Sequence, residues 1–337
     1  MKQRYNIVVV GGGMTGLTVA ALLANSRRAE RLRLTVIDAA PRPRFDPDDD
    51  IALRVSAIAT GSADILDRIG AWETVTSTRA CPYERMRVWD GEDDPDGPST
   101  LRFDADEFAV PQLGFIVENL LIRGALLKAL DRTDVSLRFD TPIASIDSAG
   151  DTRRVLLGDG REIDADLLIG ADGARSFVRE SAGIDVTRRP YAQIAFVTHL
   201  RPEEPHGATA RQRFLADGPL GMLPLADGRI SVVWSTTQET ARQAMAASDE
   251  ELGSMLTEAS DQVLGELVAA GPRGTFPLCA QHARNYVLPR LALIGDAAHA
   301  VHPLAGQGAN LGLADAGTLS TVIEEAITRG EHPGDRP

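Results

Sequence analysis

The first 38 residues constrain this chain more than any other stretch. Tyr5–Val10 is an apolar, β-branched run that reads as a buried strand, Gly11-Gly12-Gly13-Met14-Thr15-Gly16 as a glycine turn, and Leu17–Ala24 as a helix. A second β-rich run, Leu34–Ile37, then ends on Asp38. That order is the opening of a doubly wound parallel sheet, and each glycine has its own job if a dinucleotide is bound there. Gly11 permits the tight turn, Gly13 lets the backbone approach a pyrophosphate, and Gly16 lets the helix pack closely on the strand. The helix start, with Met14 and Thr15 in the same turn, offers free N–H groups and a positive dipole end to phosphates. Asp38 stands where a carboxylate accepts bonds from ribose hydroxyls.

Further along, Asp46–Asp50 reads as a solvated loop, followed by the apolar run Ile51–Ile58, in which Arg54 is a lone cation suited to a surface salt bridge, and a helical stretch through Ile69 that Gly70 can cap. Arg85–Trp89 and Thr100–Phe103 flank the turn-rich Asp90–Pro98 as a hairpin, and a helix is expected from about Leu120 to Leu130. Ala165–Gly170 is a buried strand that stops at Asp172-Gly173, which puts a carboxylate where ligands of doubly wound sheets sit; a plain Asp-Gly turn is the simpler alternative. Gln193–Thr237 changes to short strands with turns at Asp217-Gly218 and Asp227-Gly228, an antiparallel pattern inserted into an α/β chain, and a helix is expected over about Asp249–Ala270. The last block, Leu291–Gly312, is a strand ending on Gly295-Asp296, then a glycine-rich turn starting a helix that continues to about Ile327. Backbone N–H groups of such a turn cradle an anionic or electron-rich ligand edge.

Composition narrows the function. With 35 Lys and Arg against 48 Asp and Glu the formal charge is −13, which disfavours nucleic acid. The two cysteines, Cys81 and Cys279, have no metal-ligand spacing and suit a reducing compartment, and His299 and His302 lack matching partners, so no metal is expected. Nothing approaches the roughly 18 consecutive apolar residues of a membrane-spanning helix, and no targeting segment is visible, so a cytoplasmic protein is expected, at most peripheral to the inner membrane.

Three motifs in order, GGGMTG, IGADGARSFVR and LIGDAAHAVHPLAGQGANLGLADA, resemble the FAD-dependent aromatic hydroxylases, and most closely their ubiquinone-biosynthesis branch. Arg54-Val55-Ser56-Ala57-Ile58, Gly114–Asn119 and Val232–Ser235 extend the likeness to nearly the whole chain. The resemblance implies an α/β fold in which a three-layer, Rossmann-like FAD-binding domain (1–75, 112–184 and 278–337) is interleaved with an antiparallel-sheet substrate domain (76–111 and 185–277), as in para-hydroxybenzoate-hydroxylase-like flavoproteins. It also implies tightly bound, non-covalent FAD: Gly11, Gly13, Met14, Thr15 and Gly16 at the pyrophosphate, Asp38 at the adenosine ribose, Arg54 facing the flavin nucleotide in place of a salt bridge, and Asn119 where relatives have Arg or Gln. Asp172 and Gly173, supported by Arg175 and Arg179, match the family's Asp-Gly motif. Asp296 would bond the ribityl chain, and Pro303, Gly306, Gln307, Gly308, Ala309 and Asn310 would pass beside the ring.

The chemistry so implied is a monooxygenase's: NAD(P)H, bound transiently for want of a second GxGxxG, reduces FAD, O2 forms a C4a-hydroperoxyflavin, and oxygen passes to an electron-rich phenol. A disulfide-reductase-type flavoenzyme is disfavoured because no CxxxxC pair exists, and no catalytic base is identifiable. A polyprenylated phenol of ubiquinone synthesis is the expected substrate, reached through a biosynthetic assembly or at a membrane surface. A soluble aromatic or polyketide is the alternative, and a non-catalytic prenyl-lipid-binding scaffold a second. Relatives usually continue for several tens of residues beyond the glycine-rich block, so the family's C-terminal helices are expected to be missing here.

Overall fold

In the computed structural model, which describes residues 4–302 and 307–335, two large sheets are built around separate cores. The first has six strands. Tyr5–Val10 lies between Leu32–Ile37 and Leu167–Gly170, parallel to both. Ser136–Arg138 and Leu291–Leu293 extend the parallel order outward, and Val287–Leu288 closes one edge antiparallel. Runs such as Ile7–Val10 and Leu167–Gly170 are apolar throughout because both faces are covered. On one face Leu17, Leu121, Leu126 and Leu313, from helices Met14–Ala24, Asn119–Leu130 and Gln307–Arg329, meet Ile7, Val9 and Ile169. On the other, Val8, Val10 and Leu168 pack on Ile146, Val155 and Ala165 of a small antiparallel sheet. Parallel strands share a carboxyl edge, so Gly11, Asp38, Ala171 and Ile294, each following the last residue of its strand, gather at one end of the sheet.

The second sheet has eight strands, in the order His299–Ala300, Leu267–Ala283, Val186–Pro202, Ile230–Thr236, Gly218–Pro224, Thr209–Leu215, Arg85–Asp90 and Leu101–Asp104. Side-chain alternation sends Phe196, Leu200, Leu220, Met222, Val232 and Trp234 to the face covered by helices Gln238–Ala246 and Asp249–Ala259. Met222 and Trp234 are therefore core.

Two expectations are corrected. The sheet is not wholly antiparallel, since Thr209–Leu215 pairs parallel with Arg85–Asp90 and so carries the 85–104 hairpin at its edge. Nor does one helix span about 249–270. It starts on a reciprocal Ser248–Glu251 cap and stops at Ala259. Asp261 (φ 62°), Gln262 (φ 52°) and Gly265 (φ 67°) then turn the chain, and Leu267, Val268 and Ala269 enter a strand opposite Pro202, Arg201 and Leu200. Helical spacing there yields to the edge of a long strand that would otherwise lack a partner, a tertiary gain that local propensity does not register.

Candidate functional site

The glycine turn is shaped by contacts no side chain could share. A Cβ on Gly11, whose φ is 113°, would fall 2.2 Å from the Ala171 carbonyl oxygen, and one on Gly16 would fall 2.0 Å from the Gly11 carbonyl oxygen. Gly13 differs: its φ of −77° and ψ of −179° suit any residue, and a Cβ there would meet no protein atom within 4 Å. The space above it is open, and Gly13 caps Met14–Ala24 without a side-chain bond, so the first-turn N–H groups point at that space unpaired. Asp38 closes the turn from the neighbouring strand. Its Oδ2 accepts from Gly12 N–H at 2.5 Å and Oδ1 from Ala40 N–H at 2.8 Å. A carboxylate has about four acceptor positions, so it retains room for hydroxyl donors. Thr15 serves packing: its Oγ1 lies where a Cβ on Gly312 (2.5 Å) or Gly295 (3.0 Å) would clash, at the crossing of the first and last helices.

The second and third motifs are tied together by a buried cation. Asp172 turns inward, with Oδ1 accepting from Ser176 Oγ at 2.5 Å and Oδ2 from Val178 N–H at 3.0 Å; burial raises its pKa, against those bonds. Gly173 (φ 81°) makes the turn with open space around it, and Arg175 is exposed. Arg179, only 1% exposed, bonds the carbonyls of Ala174 (3.0 Å) and Ala297 (2.9 Å), and Gln281 bonds Ala174 from the same side. The Asp-Gly loop is thereby fixed to the Gly295–Ala297 turn. Asp315 holds that turn from below, accepting at one oxygen from Gly295 N–H (2.9 Å) and from His299 Nε2 (2.6 Å), and the latter bond keeps the His299 imidazole above its ordinary pKa despite burial. Asp296 itself is solvent-exposed, yet enough protein surrounds it that burial raises its pKa while His299 and Arg54 pull it down.

Arg54 makes no salt bridge among the described residues; its guanidinium stands 5.3 Å from the Phe276 ring centroid. The loop before it is held at Asp49 and Asp50 by two arginines. Arg79 bonds Glu118 (2.6 Å) and the Asp49 carbonyl (2.6 Å). Arg229 bonds both oxygens of Asp50, Asp227 (2.7 Å) and the Ala270 carbonyl (2.7 Å). Asn119 accepts from Ser56 Oγ at 2.7 Å. Asn310 bonds the backbone of Ala57 and Ala59 (2.8 and 2.9 Å), so the last helix is stitched to strand Val55–Ala59. Gly308 has open space around it, and Ala309 packs on the large core. Pro303 and Gly306 lie outside the described residues, as does the side chain of Gln307.

An open glycine turn beside a free helix start, a carboxylate with unused acceptor positions and a second, exposed carboxylate at the same end of the sheet fit a dinucleotide with a polyol chain. Comparison with known proteins decides which. A family model described as "FAD binding domain" matches residues 4–334. The chain is 38% identical over 98% of its length to the 3-demethoxyubiquinol 3-hydroxylase of Escherichia coli (strain K12), covering 82% of that protein. It is 34% identical over 98% of its length to the mitochondrial ubiquinone biosynthesis monooxygenase COQ6 of Xenopus tropicalis, covering 80%. This chain belongs to the FAD-dependent monooxygenases. The fold agrees: P. aeruginosa PqsL, solved in complex with 2-aminobenzoylacetate, superposes with a TM-score of 0.79 at 24% identity, with 97% of this chain and 88% of that one covered.

In this monooxygenase the face of the large sheet away from those two helices carries Leu223, Val233 and Phe276. Leu223 there packs toward Ile51, Cys81, Ile116 and Leu225. A Cβ on Gly274 would meet Leu53 at 2.7 Å, and Phe276, opposite Ala195, lies beneath Arg54. Leu223 and Val233 are half-buried where their opposite-face neighbours Met222, Val232 and Trp234 are fully buried, and Phe276 is half-buried as well. Sequence reasoning missed Arg123, whose Nε and Nη2 reach the Gly12 carbonyl oxygen at 3.1 and 3.0 Å. No motif flags it; the one available signal is a cation within the apolar stretch Leu120–Leu127 of the helix.

Proposed function

We propose that this chain hydroxylates the ring of a polyprenylated phenol on the route to ubiquinone, taking oxygen from O2 and reducing equivalents from NAD(P)H. The observation that carries the reading is the 38% identity, over 98% of the chain, with a hydroxylase of that route. Bound FAD supplies the redox and oxygen-transfer chemistry; the chain's residues bind, orient and exclude water. Gly11, Gly13, Met14, Thr15 and Gly16 take the pyrophosphate, with Gly13 as the point of closest approach and Thr15 as the spacer that sets the helix crossing. Asp38 takes the adenosine ribose and Asp296 the ribityl hydroxyls. Asp172 and Gly173 shape the opposing loop, with Arg179 as its strut. Arg54 and Asn119 set the strand beside the flavin, and Pro303, Gly306, Gln307, Gly308, Ala309 and Asn310 flank its ring. Backbone N–H groups of that last turn stabilise negative charge on the ring edge.

Residues 1–75, 112–184 and 278–337 are read as the FAD-binding domain, and 76–111 with 185–277 as the substrate domain whose half-buried apolar face receives the phenol. Leu223, Val233 and Phe276 exclude water from the reacting ring. No helix among the described residues is long and apolar enough to cross a membrane, so the prenyl tail is delivered by a partner protein or at a membrane surface. Removal of the gene tests the substrate: a prenylated phenol lacking one hydroxyl should accumulate and ubiquinone should fall. Unchanged ubiquinone with loss of a soluble aromatic product would overturn the assignment.

A further inference from the structure

Helix Asn119–Leu130 crosses the glycine turn, and its first residue is already committed, since the Asn119 side chain bonds Ser56. One turn on, Arg123 grips the Gly12 carbonyl with two donors, while Asp38 holds the Gly12 N–H. Gly12 is thus clamped from both sides, and a Cβ on it would strike Phe139 and Asp38. A guanidinium has five N–H groups; two are used here, and Nη1 makes no hydrogen bond to a described residue. The group is half-buried, close enough to Asp38 and Arg54 to feel both charges, and burial holds its pKa below the ordinary arginine value. A cation taken partly out of water and bonded only to a neutral carbonyl is costly unless an anion completes it. The open space over Gly13 is where such an anion would enter.

We propose that Arg123 is a binding residue for the anionic ADP half of FAD, held in place by the carbonyl of the glycine turn it serves. The inference rests on the reading of this turn as the dinucleotide site. In a chain of net charge −13, a fixed cation at the phosphates offsets the long-range repulsion of a dianion. Arginine suits the task because its planar fork serves carbonyl and phosphate together.

The test uses the flavin-free 337-residue chain, titrated with FAD and with ADP. R123Q keeps a donor for the Gly12 carbonyl and removes the charge; R123K keeps the charge and loses the fork. R123Q is expected to weaken FAD and ADP alike, about tenfold or more as for a lost charge-assisted bond, with a flatter salt dependence and an unchanged thermal midpoint without ligand. R123K should preserve the salt dependence. Wild-type ADP affinity in R123Q would overturn the proposal, as would a fall in R123Q affinity explained by a lower ligand-free midpoint. Failure of the unmodified chain to bind either ligand would instead remove the dinucleotide reading, before any variant is made.

Discussion

Two glycines three residues apart in the turn, Gly13 and Gly16, make opposite predictions when each is replaced by alanine. At Gly13 the backbone conformation is ordinary and the added methyl meets no protein atom within 4 Å. Alanine is a poorer N-cap than glycine by roughly 0.5–1 kcal/mol, but it stiffens the unfolded chain by about 0.4–1 kcal/mol, so the two effects cancel and stability should barely change. The methyl would occupy the open space that a pyrophosphate enters, and FAD affinity should fall at least about tenfold, or 1.4 kcal/mol. At Gly16 the methyl lands 2.0 Å from the Gly11 carbonyl oxygen, whereas ordinary contacts begin at 3.4 Å. Neither partner can swing aside because both are backbone, and Gly11 is itself bonded to Ile37 at 2.8 Å. The upper end of overpacking costs, about 3 kcal/mol, is expected. Denaturant unfolding of the flavin-free chain and quenching of flavin fluorescence separate the two. Unimpaired FAD binding by G13A, or a wild-type unfolding midpoint for G16A, would refute the assignment of these roles.

Other consequences are local. R229M should cost about 1–3 kcal/mol, near the low end, because Asp50 (63% exposed) and Asp227 (39%) can rehydrate once the guanidinium is gone; a loss too small to resolve in urea unfolding would contradict the bracing role. Its bond to Arg229 lowers the Asp50 pKa, so that contribution is present above the unfolded value near 3.8 and lost as pH falls through the folded value. R229M should lack this acid-sensitive slope. His299 has the opposite sign: its raised pKa gives stability that is complete below the unfolded value of about 6.5 and is lost as pH rises through the folded value. H299Q should flatten the stability profile on that alkaline side, as followed by thermal unfolding across pH; an unchanged slope would reject the Asp315 pairing as its cause.

How much of this was legible in the sequence follows from the range of the forces involved. The glycine turn and Asp38 could be read because their constraints are local: each glycine answers to atoms of its own strand–turn–helix unit or of the strand beside it. The carboxyl-edge positions of Asp172 and Asp296 followed from the strands that precede them. Arg54 could not be read from its neighbours, because Phe276 reaches it from a strand more than two hundred positions away. Arg123 was equally opaque, and Arg179 was flagged only through the family resemblance and not by its partners, since both spend their charge on backbone carbonyls of Gly12, Ala174 and Ala297, which carry no sequence signature. The strand at Leu267–Ala283 was hidden for a related reason: its partner, Val186–Pro202, determines its conformation.

The central claim is oxygen transfer to a prenylated phenol on a flavin held by this fold. The most direct measurement supplies the purified, FAD-loaded chain with reduced nicotinamide, a short-chain prenylated phenol and isotopically labelled O2, and follows both nicotinamide oxidation and the mass of the phenol. Oxidation stimulated by the phenol, with one labelled oxygen atom in the product, is the expected result. Stable FAD binding with neither stimulation nor label incorporation would contradict the assignment while leaving the cofactor site intact.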